Sequence, residues 1–356
     1  MKVLHLPYNI ASKISITVDA LQKIGIEARG ISINNYPSQE ANGVLTINPK
    51  EYGYHHPKKY FKIIESYFQL FRLIYWADIV HWYYDYRVLK TDLVLKWIRF
   101  LKKPAVIEWA GSDIRIPDIL ASHNPFYKKH FTQDYSYKFE SLKHSRLVQQ
   151  KFKDAGFIAL VRPELEEFVQ QDIYPDYYRI NNRINVRQYI PVFPSVEKKR
   201  PLIINPVVAR GAKGTAFILD AVNKLKQKYE FDFLLLENIS HQEIIEHLAK
   251  SDIVIDQLIL GAFGTTSLEG MALGKPVICF ISDKLKEKLP PENPFVNATP
   301  DTIFLALELL ITNSQMRHET GMHSRKYVEE YHDAEKIAQQ LKKIYQKIIS
   351  RKNLKQ

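Results

Sequence analysis

The feature that most constrains this sequence is a regular alternation of short apolar segments with longer stretches of helical periodicity. In the first half, helical patterns at residues 10–24, 58–76 and 92–103 separate the apolar segments. Strands that alternate with helices in this order predict a parallel sheet with crossover helices. The candidate strands lie at residues 3–6, 28–33, 44–47, 78–83 and 105–109.

A second series of the same kind follows a stretch punctuated by prolines. Residues 190–194 read Ile-Pro-Val-Phe-Pro, and residues 197–200 are all charged. This composition is typical of a linker between domains. The sequence therefore predicts two consecutive α/β halves, followed by an amphipathic helix near 334–350. The candidate strands of the second half lie at residues 202–205, 232–236, 253–256 and 277–280.

The composition is that of an ordinary globular protein and excludes several classes of protein and of site. Of the 356 residues 46% are hydrophobic and 25% charged, which excludes bulk disorder and fibrous rods. The single cysteine, Cys279, excludes an intrachain disulfide and a cysteine-based zinc site. The histidines show no metal-ligand spacing. A net charge of +11 favours anionic partners, and no apolar run is long enough to span a bilayer.

One strand–loop–helix segment carries the strongest chemical signal. The apolar strand at 253–256 leads through a loop containing Gly261 and Gly264 into a helix that begins near Thr265 or Thr266. Free N–H groups and the dipole at a helix start favour a phosphate. Glu269, about one turn into the helix, is placed to hold a ribose hydroxyl pair. The alternative is an ordinary strand–turn–helix with a solvated Glu269.

Two further segments place polar residues just after strands. Arg210 and Lys213 precede a predicted helix and suit a diphosphate, because a guanidinium offers a fork of donors and an ammonium a point charge. Ser112, Asp113 and Arg115 follow the strand at 105–109, at the carboxyl edge where open α/β sheets bind ligands. The alternatives are two exposed basic residues on a turn and a local Asx turn at Asp113.

These segments closely resemble the signature of GT-B fold glycosyltransferases of the family 4 (glycosyltransferase group 1) type. The match comprises the Asp-Ile-Val-Ile-Asp lead-in at 252–256, Glu269, and the Ala-Leu-Gly-Lys-Pro-Val exit at 272–277. The resemblance implies two Rossmann-like parallel-sheet domains facing across a cleft. Residues 1–190 would form the acceptor domain, residues 191–333 the donor domain, and residues 334–356 a helix returning to the first domain.

The resemblance also implies roles for individual residues. Glu269 would bind the ribose, Asn238 the base, and Asp113 would belong to the catalytic motif with Ser112 and Arg115 beside it on the acceptor side. The diphosphate would be bound by Arg210, Lys213, Gly264, Thr265, Thr266 and Ser267. The implied activity is a hexosyltransferase of polysaccharide biosynthesis that uses a UDP- or GDP-sugar, retains anomeric configuration and requires no metal or cofactor. The implied acceptor is a glycan, a lipid-linked molecule or a small molecule.

Two departures from the family pattern keep other classes open. Relatives often carry a glutamate eight residues before the ribose glutamate, where this chain has Gly261, and a histidine where it has Ala110. The alternatives are therefore a non-catalytic GT-B protein that binds a nucleotide or glycan, and a GT-B sugar-nucleotide epimerase.

An aromatic segment gives an indication of where in the cell the protein acts. At 100° per residue, Phe61, Ile64, Phe68, Phe71 and Tyr75 share one face of the helix predicted at 58–76, with basic residues mostly opposite. This pattern is typical either of a helix packed on the sheet or of a contact with an anionic membrane. We expect a cytoplasmic protein, with the inner membrane face as a candidate peripheral partner and no nucleic-acid partner.

Overall fold

The computed structural model describes residues 1–33, 44–47, 57–85, 88, 92–130 and 139–354, with side chains throughout except at 47, 57–60, 62, 63, 130 and 353. Its strands are β1 Lys2–Leu6, β2 Glu27–Ile33, β3 Val44–Ile47, β4 Ile79–Tyr83, β5 Ala105–Glu108, β6 Ile158–Val161, β7 Tyr178–Arg179, β8 Leu202–Pro206, β9 Asp232–Leu236, β10 Ile253–Ile255, β11 Val277–Cys279 and β12 Val296–Asn297. Its α-helices are α1 Lys13–Lys23, α2 Pro57–Trp76, α3 Leu93–Phe100, α4 Pro117–His123, α5 Pro125–His130, α6 Leu142–Asp154, α7 Arg210–Lys213, α8 Thr215–Leu225, α9 His241–Lys250, α10 Thr265–Ala272, α11 Asp283–Lys286, α12 Ile303–Thr312, α13 Ser314–Tyr331 and α14 Ala334–Asn353.

The chain forms two compact units, each built on a parallel sheet. Unit 1 comprises residues 1–116, 140–183 and 334–356, and unit 2 comprises residues 117–139 and 184–333. The sheet of unit 1 has the order β3-β2-β1-β4-β5-β6-β7, and that of unit 2 the order β12-β11-β10-β8-β9. Neighbouring strands are parallel in both sheets. The predicted fold class, two Rossmann-like parallel-sheet domains, is confirmed.

The units do not follow the predicted division of the sequence at residue 191. Residues 184–190 belong to unit 2, and so does the segment 117–139, which lies within the first half of the chain. Asn124 explains the placement of that segment, because its Nδ2 donates to the Ile259 carbonyl over 2.8 Å. Phe126 also packs edge-on against Phe280, with 5.4 Å between ring centroids. Such long-range contacts leave no local mark in the sequence.

The core of unit 1 joins both ends of the chain. Ile14 and Val18 of α1 pack with Ile337 and Leu341 of α14, and the strands supply Val3, Ile79 and Val106 to the same buried cluster. Apolar residues spaced by three or four along α1 and α14 give each helix one buried face. As a result, α14 contributes to the core of the unit in which the chain begins.

Helix α2 exposes most of the aromatic face for which the sequence left two alternatives open. Leu70 and Ile74 are buried, whereas Phe61, Ile64, Phe68 and Tyr75 are each about 70% exposed. Phe71 is half-buried and packs on Trp97 of α3, with ring centroids 5.3 Å apart. Of the two alternatives, packing of this face on the sheet is therefore wrong for these four residues. Periodicity alone could not decide between the alternatives because apolar residues cover most of this helix. None of the helices in the described ranges combines the length and apolar character needed to cross a bilayer.

Unit 2 places α10 between its sheet and α13. Leu268, Met271 and Ala272 of α10 are buried, and they pack in one cluster with Val254 of β10 and Val277 of β11. Beyond α10 the chain turns at Gly274, whose φ is +76°. A Cβ at Gly321 of α13 would lie only 2.3 Å from the Gly274 carbonyl oxygen. The absence of a side chain at Gly321 therefore allows this close approach.

Candidate functional site

The loop between β10 and α10 is organised around a buried carboxylate. Asp256 directly follows β10, and its Oδ2 accepts a hydrogen bond from the Gly264 N–H over 2.9 Å and from Ser267 Oγ over 2.5 Å. Gly264 is the N-cap of α10 and has extended backbone. These two bonds attach the first turn of α10 to the carboxyl end of its strand. The Gly264 N–H is thus occupied, whereas Thr265 and Thr266 are half-buried and supply the N–H groups of this helix start that a ligand could reach.

Lys213 lies at the same place. Its Nζ forms an ion pair with Asp256 Oδ1, and its side chain is 15% exposed. Burial raises the pKa of Asp256, but Lys213 together with the hydrogen bonds from Ser267 and Gly264 holds that pKa below its ordinary value. The aspartate is therefore ionised and the pair is neutral overall. An ammonium group has three donors, so the bond to Asp256 leaves donor capacity on Lys213.

Arg210 lies one turn before Lys213 and is engaged by a second carboxylate. Its guanidinium forms a bidentate pair with Glu237, with Nε–Oε1 and Nη2–Oε2 distances of 2.8 and 2.5 Å. Arg210 is 57% exposed, so the pair is accessible to solvent. Asn238, the next residue after Glu237, has a left-handed backbone with φ +56°. Arg210 and the predicted base-binding segment therefore meet at the carboxyl end of β9.

Glu269 is buried and has partners that the sequence analysis did not assign. His241 Nε2 lies 2.7 Å from Glu269 Oε1, and the Tyr189 hydroxyl donates to the same oxygen over 3.4 Å. Only 6% of the Glu269 side chain is exposed, against 35% for His241. Both contacts use Oε1, so Oε2 has no hydrogen-bond partner among the described residues. The solvated alternative for Glu269 does not apply.

The backbone at Gly261 accounts for the missing glutamate of the family pattern. Its φ is +73°, and a Cβ there would lie 3.0 Å from Ser282 Cβ and 3.3 Å from Asn124 Nδ2. A larger side chain would meet both a left-handed backbone and a crowded site. Asn124 comes from the segment 117–139, so a contribution from the first half of the chain closes this loop.

In unit 1, Asp113 bonds local N–H groups, as in the alternative given above, but its partners precede it in the chain, whereas an Asx turn uses the N–H two residues further on. Asp113 is fully buried, and its Oδ1 accepts from the Gly111 N–H over 2.8 Å while Oδ2 accepts from the Ala110 N–H over 3.1 Å. Burial raises the pKa of Asp113, although these backbone N–H groups act in the opposite direction. Within the described residues, this carboxylate organises the turn at 110–113.

The two neighbours assigned to the acceptor side differ in surroundings. Ser112 is half-buried. Arg115 is 17% exposed and pairs with the buried Glu140 over 2.6 Å. Arg162 donates to the Ala110 carbonyl over 2.6 Å, at the position where relatives carry a histidine. The turn is therefore surrounded by arginines.

A buried polar cluster lies beneath this turn, and sequence analysis did not find it. Glu108 at the end of β5 pairs with Arg183 over 2.9 Å and with Lys13 over 3.3 Å, and His81 Nε2 lies 3.3 Å from its Oε2. Arg183 Nε also donates to Thr17 Oγ1 over 2.6 Å. Burial lowers the pKa of Lys13 to about 8 and that of His81 to about 4. In the sequence, His81 and Glu108 are isolated polar residues in two different strands, and neither gives a signal of its partners.

The structure thus brings the predicted donor residues into two groups within unit 2. Lys213, Gly264 and Ser267 meet at Asp256, while Arg210 and Asn238 meet at Glu237. Glu269 is held through His241, which begins α9 after a capping box formed by Ser240 and Glu243. That capping box is visible in the sequence as Ser-x-x-Glu and was the available signal for placing His241 at a helix start.

The comparisons with known proteins bear on the fold. No protein-family model and no curated protein sequence matches the chain. Among solved structures, sucrose-phosphate synthase from Thermosynechococcus elongatus superimposes with a TM-score of 0.62 at 14% identity, covering 98% of this chain and 99% of that one. An α-glucosyltransferase in complex with UDP-glucose and DNA containing an abasic site gives 0.65 at 10% identity, covering 97% and 98%.

HepE from Anabaena, in complex with UDP and glucose, gives a TM-score of 0.57 at 15% identity, covering 98% of this chain and all of that one. The chain has the GT-B fold of glycosyltransferases. At these identities the likeness concerns the GT-B fold over nearly the whole chain. No group of three or more metal-ligating side chains is found in the part of the chain that the structure describes.

Proposed function

We propose that this protein is a glycosyltransferase that transfers a sugar from a nucleotide-sugar donor to an acceptor hydroxyl. The observation that carries the proposal is the grouping of Lys213, the accessible start of α10 and Glu269 in one unit of a GT-B chain. A helix N-terminus and a partly free ammonium both favour an anionic diphosphate. Two of the similar structures are complexes with UDP-glucose or with UDP and glucose, which supports a UDP-sugar donor.

In this proposal each residue has a defined task. Lys213, Arg210 and the N–H groups of Thr265 and Thr266 would neutralise the charge that develops on the leaving nucleoside diphosphate. Glu269 would accept hydrogen bonds from ribose hydroxyls through its unengaged Oε2. His241 would fix the Glu269 carboxylate through the bond to Oε1.

The base and acceptor sides of the proposal rest on the resemblance. Asn238 would contact the base through its left-handed backbone. Asp113 would support the acceptor side by shaping the turn at 110–113 that presents Ser112. The proposal includes a glycan, lipid-linked or small-molecule acceptor, retention of anomeric configuration, and no required metal.

The proposal also includes peripheral attachment to an anionic membrane through α2. Four large apolar side chains on this helix are about 70% exposed. Exposed apolar patches of this kind mark interaction surfaces. The net charge of +11 favours an anionic lipid surface as the partner.

A nucleotide-binding protein without transferase activity is the second candidate. It is favoured by the crowded, left-handed backbone at Gly261 and by the engagement of Asp113 in a local turn. Both positions lie where relatives have parts of their chemical machinery. Under this candidate the donor residues of unit 2 would bind without turnover.

A screen of nucleotide sugars tests the proposal. A donor bound only by the folded protein at 100 times its Kd stabilises that protein by about 2.7 kcal/mol, so the true donor raises the melting temperature. Turnover of that donor is then measured with and without acceptors. A glycosylated acceptor supports the proposal, and NMR of its anomeric centre tests retention. An isomerised nucleotide sugar without acceptor would identify an epimerase, and stabilisation without turnover would identify the binding protein.

A further inference from the structure

A cavity of about 710 Å³ lies in unit 1, away from the carboxyl edge of its sheet. Ala105 and Ile158, the first residues of β5 and β6, lie in its wall, so it opens at the amino edge. The ends of α3 and α14 complete it. Nothing in the proposed transfer reaction uses this place.

The cavity is lined by cations that have no partners among the residues that the structure describes. Arg99, Lys102, Arg351 and Lys352 all lie in its wall. None of these four side chains forms a hydrogen bond or an ion pair with any residue that the structure describes. Arginines elsewhere in the chain are commonly paired, as Arg210 is with Glu237. Unpaired cations that converge on one cavity indicate an anion from outside the chain.

Two other charged residues lie in the described part of the wall, a lysine and a single carboxylate, and together they leave the net charge of the wall positive. Lys103 also lines the cavity, but its Nζ donates to the carbonyls of Tyr75 and Ala77 over 2.7 and 2.6 Å. Asp154 is the acidic residue in the wall, and its Oδ1 accepts from Gln150 over 2.7 Å. The described wall therefore carries a clear excess of positive charge.

Helix ends explain part of this arrangement but not all of it. Cations in the last turn of a helix are favoured by the dipole, which accounts for Arg99, Arg351 and Lys352 one at a time. Lys102 lies beyond α3 in a left-handed conformation with φ +48°. Burial, and then the charges of Lys103 and Lys102, lower the pKa of Lys352. Such mutual repulsion is relieved by a bound anion.

Exposed apolar side chains adjoin the cavity. Leu354 in its wall is 87% exposed, and Phe100, next to Arg99, is 74% exposed. Lys103 Nζ lies 5.6 Å from the centroid of the Tyr75 ring, which is 71% exposed. From Tyr75 the exposed face of α2 continues to Phe61, a distance of about 21 Å along the helix.

We infer that this cavity binds the phosphate group of an anionic phospholipid, while Phe100, Tyr75 and the exposed face of α2 contact the same membrane. The positive charge of the cavity would also suit nucleic acid. Unlike nucleic acid, however, a bilayer offers an apolar phase beside its phosphates, which the exposed isoleucine and phenylalanine side chains can enter. The inference deepens the membrane attachment proposed above by giving it a headgroup site. It does not depend on sugar transfer.

The test measures binding to vesicles of phosphatidylcholine, with and without an equal part of phosphatidylglycerol, at low and physiological salt. Wild type should bind only the anionic vesicles, and more weakly as salt rises. The variant Lys102→Gln/Arg351→Gln/Lys352→Gln should bind on the order of 100-fold more weakly, about fivefold for each charge. Phe100→Ser/Tyr75→Ser should weaken the binding that remains at physiological salt.

A matched control removes the same charge elsewhere. Lys226, Lys250 and Lys286 are exposed residues of unit 2 without partners in the described chain, and their triple change to Gln should have little effect. Equal losses in the two triple variants would overturn the inference. So would wild type that stays free of anionic vesicles at low salt, or cavity-dependent binding of inorganic phosphate or duplex DNA without vesicle binding.

The melting temperature of each variant is measured with and without UDP. This measurement tests nucleotide binding independently of vesicle binding, so the lipid site and the proposed function can fail separately. The cavity variant should stay folded and respond to UDP as wild type does. Cavity-dependent vesicle binding by a protein that binds no nucleotide would support the lipid site and contradict the proposed glycosyltransferase.

Discussion

At the scale of single residues, Asp256 decides how Lys213 can act. The sequence motif presents Lys213 as an exposed cation on a turn, whereas the structure pairs it with a fully buried carboxylate. The pair aligns the ammonium and prevents it from moving freely. A diphosphate at the start of α10 would then meet a lysine that is already oriented, so less side-chain entropy is lost on binding.

Removing the basic side chains should therefore affect phosphates selectively. Lys213→Ala and Arg210→Ala should each weaken UDP binding by about 1.5–3 kcal/mol, because a charge-assisted hydrogen bond is lost. Uridine, which lacks phosphates, should bind nearly as before. Calorimetric titration of both ligands measures the difference.

The structure adds an internal check on these variants. Lys213→Ala also leaves Asp256 buried without its cation, so this variant should melt at a lower temperature. Arg210→Ala should not, since the Arg210–Glu237 pair is exposed. Equal losses of UDP and uridine affinity in Arg210→Ala would contradict the diphosphate role.

Glu269 offers a second prediction at this scale. Glu269→Gln keeps an oxygen for His241 and Tyr189, so the melting temperature of the free protein should change little. Binding of UDP should weaken by about 1 kcal/mol, because a charged acceptor bonds about twice as strongly as a neutral one. The deoxyribose analogue should bind wild type and variant alike. If the variant still discriminates between the ribose and deoxyribose ligands as well as wild type does, Glu269 does not bind the ribose.

At the scale of elements, α10 is held in place by very close packing. Two of its contacts involve glycine, and they differ in severity. A Cβ at Gly270 of α10 would meet Val254 Cγ2 at 3.2 Å, a tight contact that a shift of a few tenths of an ångström relieves. A Cβ at Gly321 of α13 would meet a backbone oxygen at 2.3 Å. The approach of α13 to the end of α10 therefore depends on Gly321.

Gly321→Ala should thus lower the free energy of unfolding by about 1–3 kcal/mol, since the helices must separate to accept the methyl group. Gly270→Ala is the matched control, because it adds the same group to a helix and should cost clearly less. Denaturant unfolding measures both. Similar stabilities for the two variants would show that α13 does not pack as described.

The elements also show which parts of the structure could be predicted from the sequence. The alternation of strands and helices predicted both parallel sheets, and the Gly-containing loop predicted the start of α10, because these features depend on neighbouring residues. The exposed face of α2 was not predictable, since apolar residues surround that helix. The contacts of Asn124 and His241 join residues far apart in sequence, and a single chain gives no measure of such pairs.

At the scale of the whole molecule, a buried polar cluster links α14 to the first sheet. His81 Nδ1 of β4 lies 2.6 Å from the hydroxyl of Tyr345 in α14, and His81 Nε2 faces Glu108. His5 of β1 lies directly opposite His81 in the sheet register. Both imidazoles are fully buried.

This cluster should make stability depend on pH. Burial lowers the pKa of His81 to about 4, below its ordinary 6.5, and lowers that of His5 too. The unfolded chain therefore binds protons more readily below pH 6.5. The free energy of unfolding should fall from pH 6.5 to about 4, by at most about 1.4 kcal/mol per pH unit for each histidine.

The variant His81→Gln isolates the contribution of His81 to the pH dependence of the free energy of unfolding. Denaturant unfolding at several pH values should give a smaller loss between pH 6.5 and 4 than in wild type. Equal slopes in wild type and His81→Gln would contradict a neutral, buried His81.

The interleaving of the two units affects the order in which the protein can be made. The chain passes from one unit to the other after residues 116, 139, 183 and 333. Every residue of unit 2 has been synthesised once residue 333 is added. Unit 1 then still lacks α14 and, with it, Ile337 and Leu341 of its core. On the ribosome, therefore, the unit that begins the chain is the last that can complete its folding.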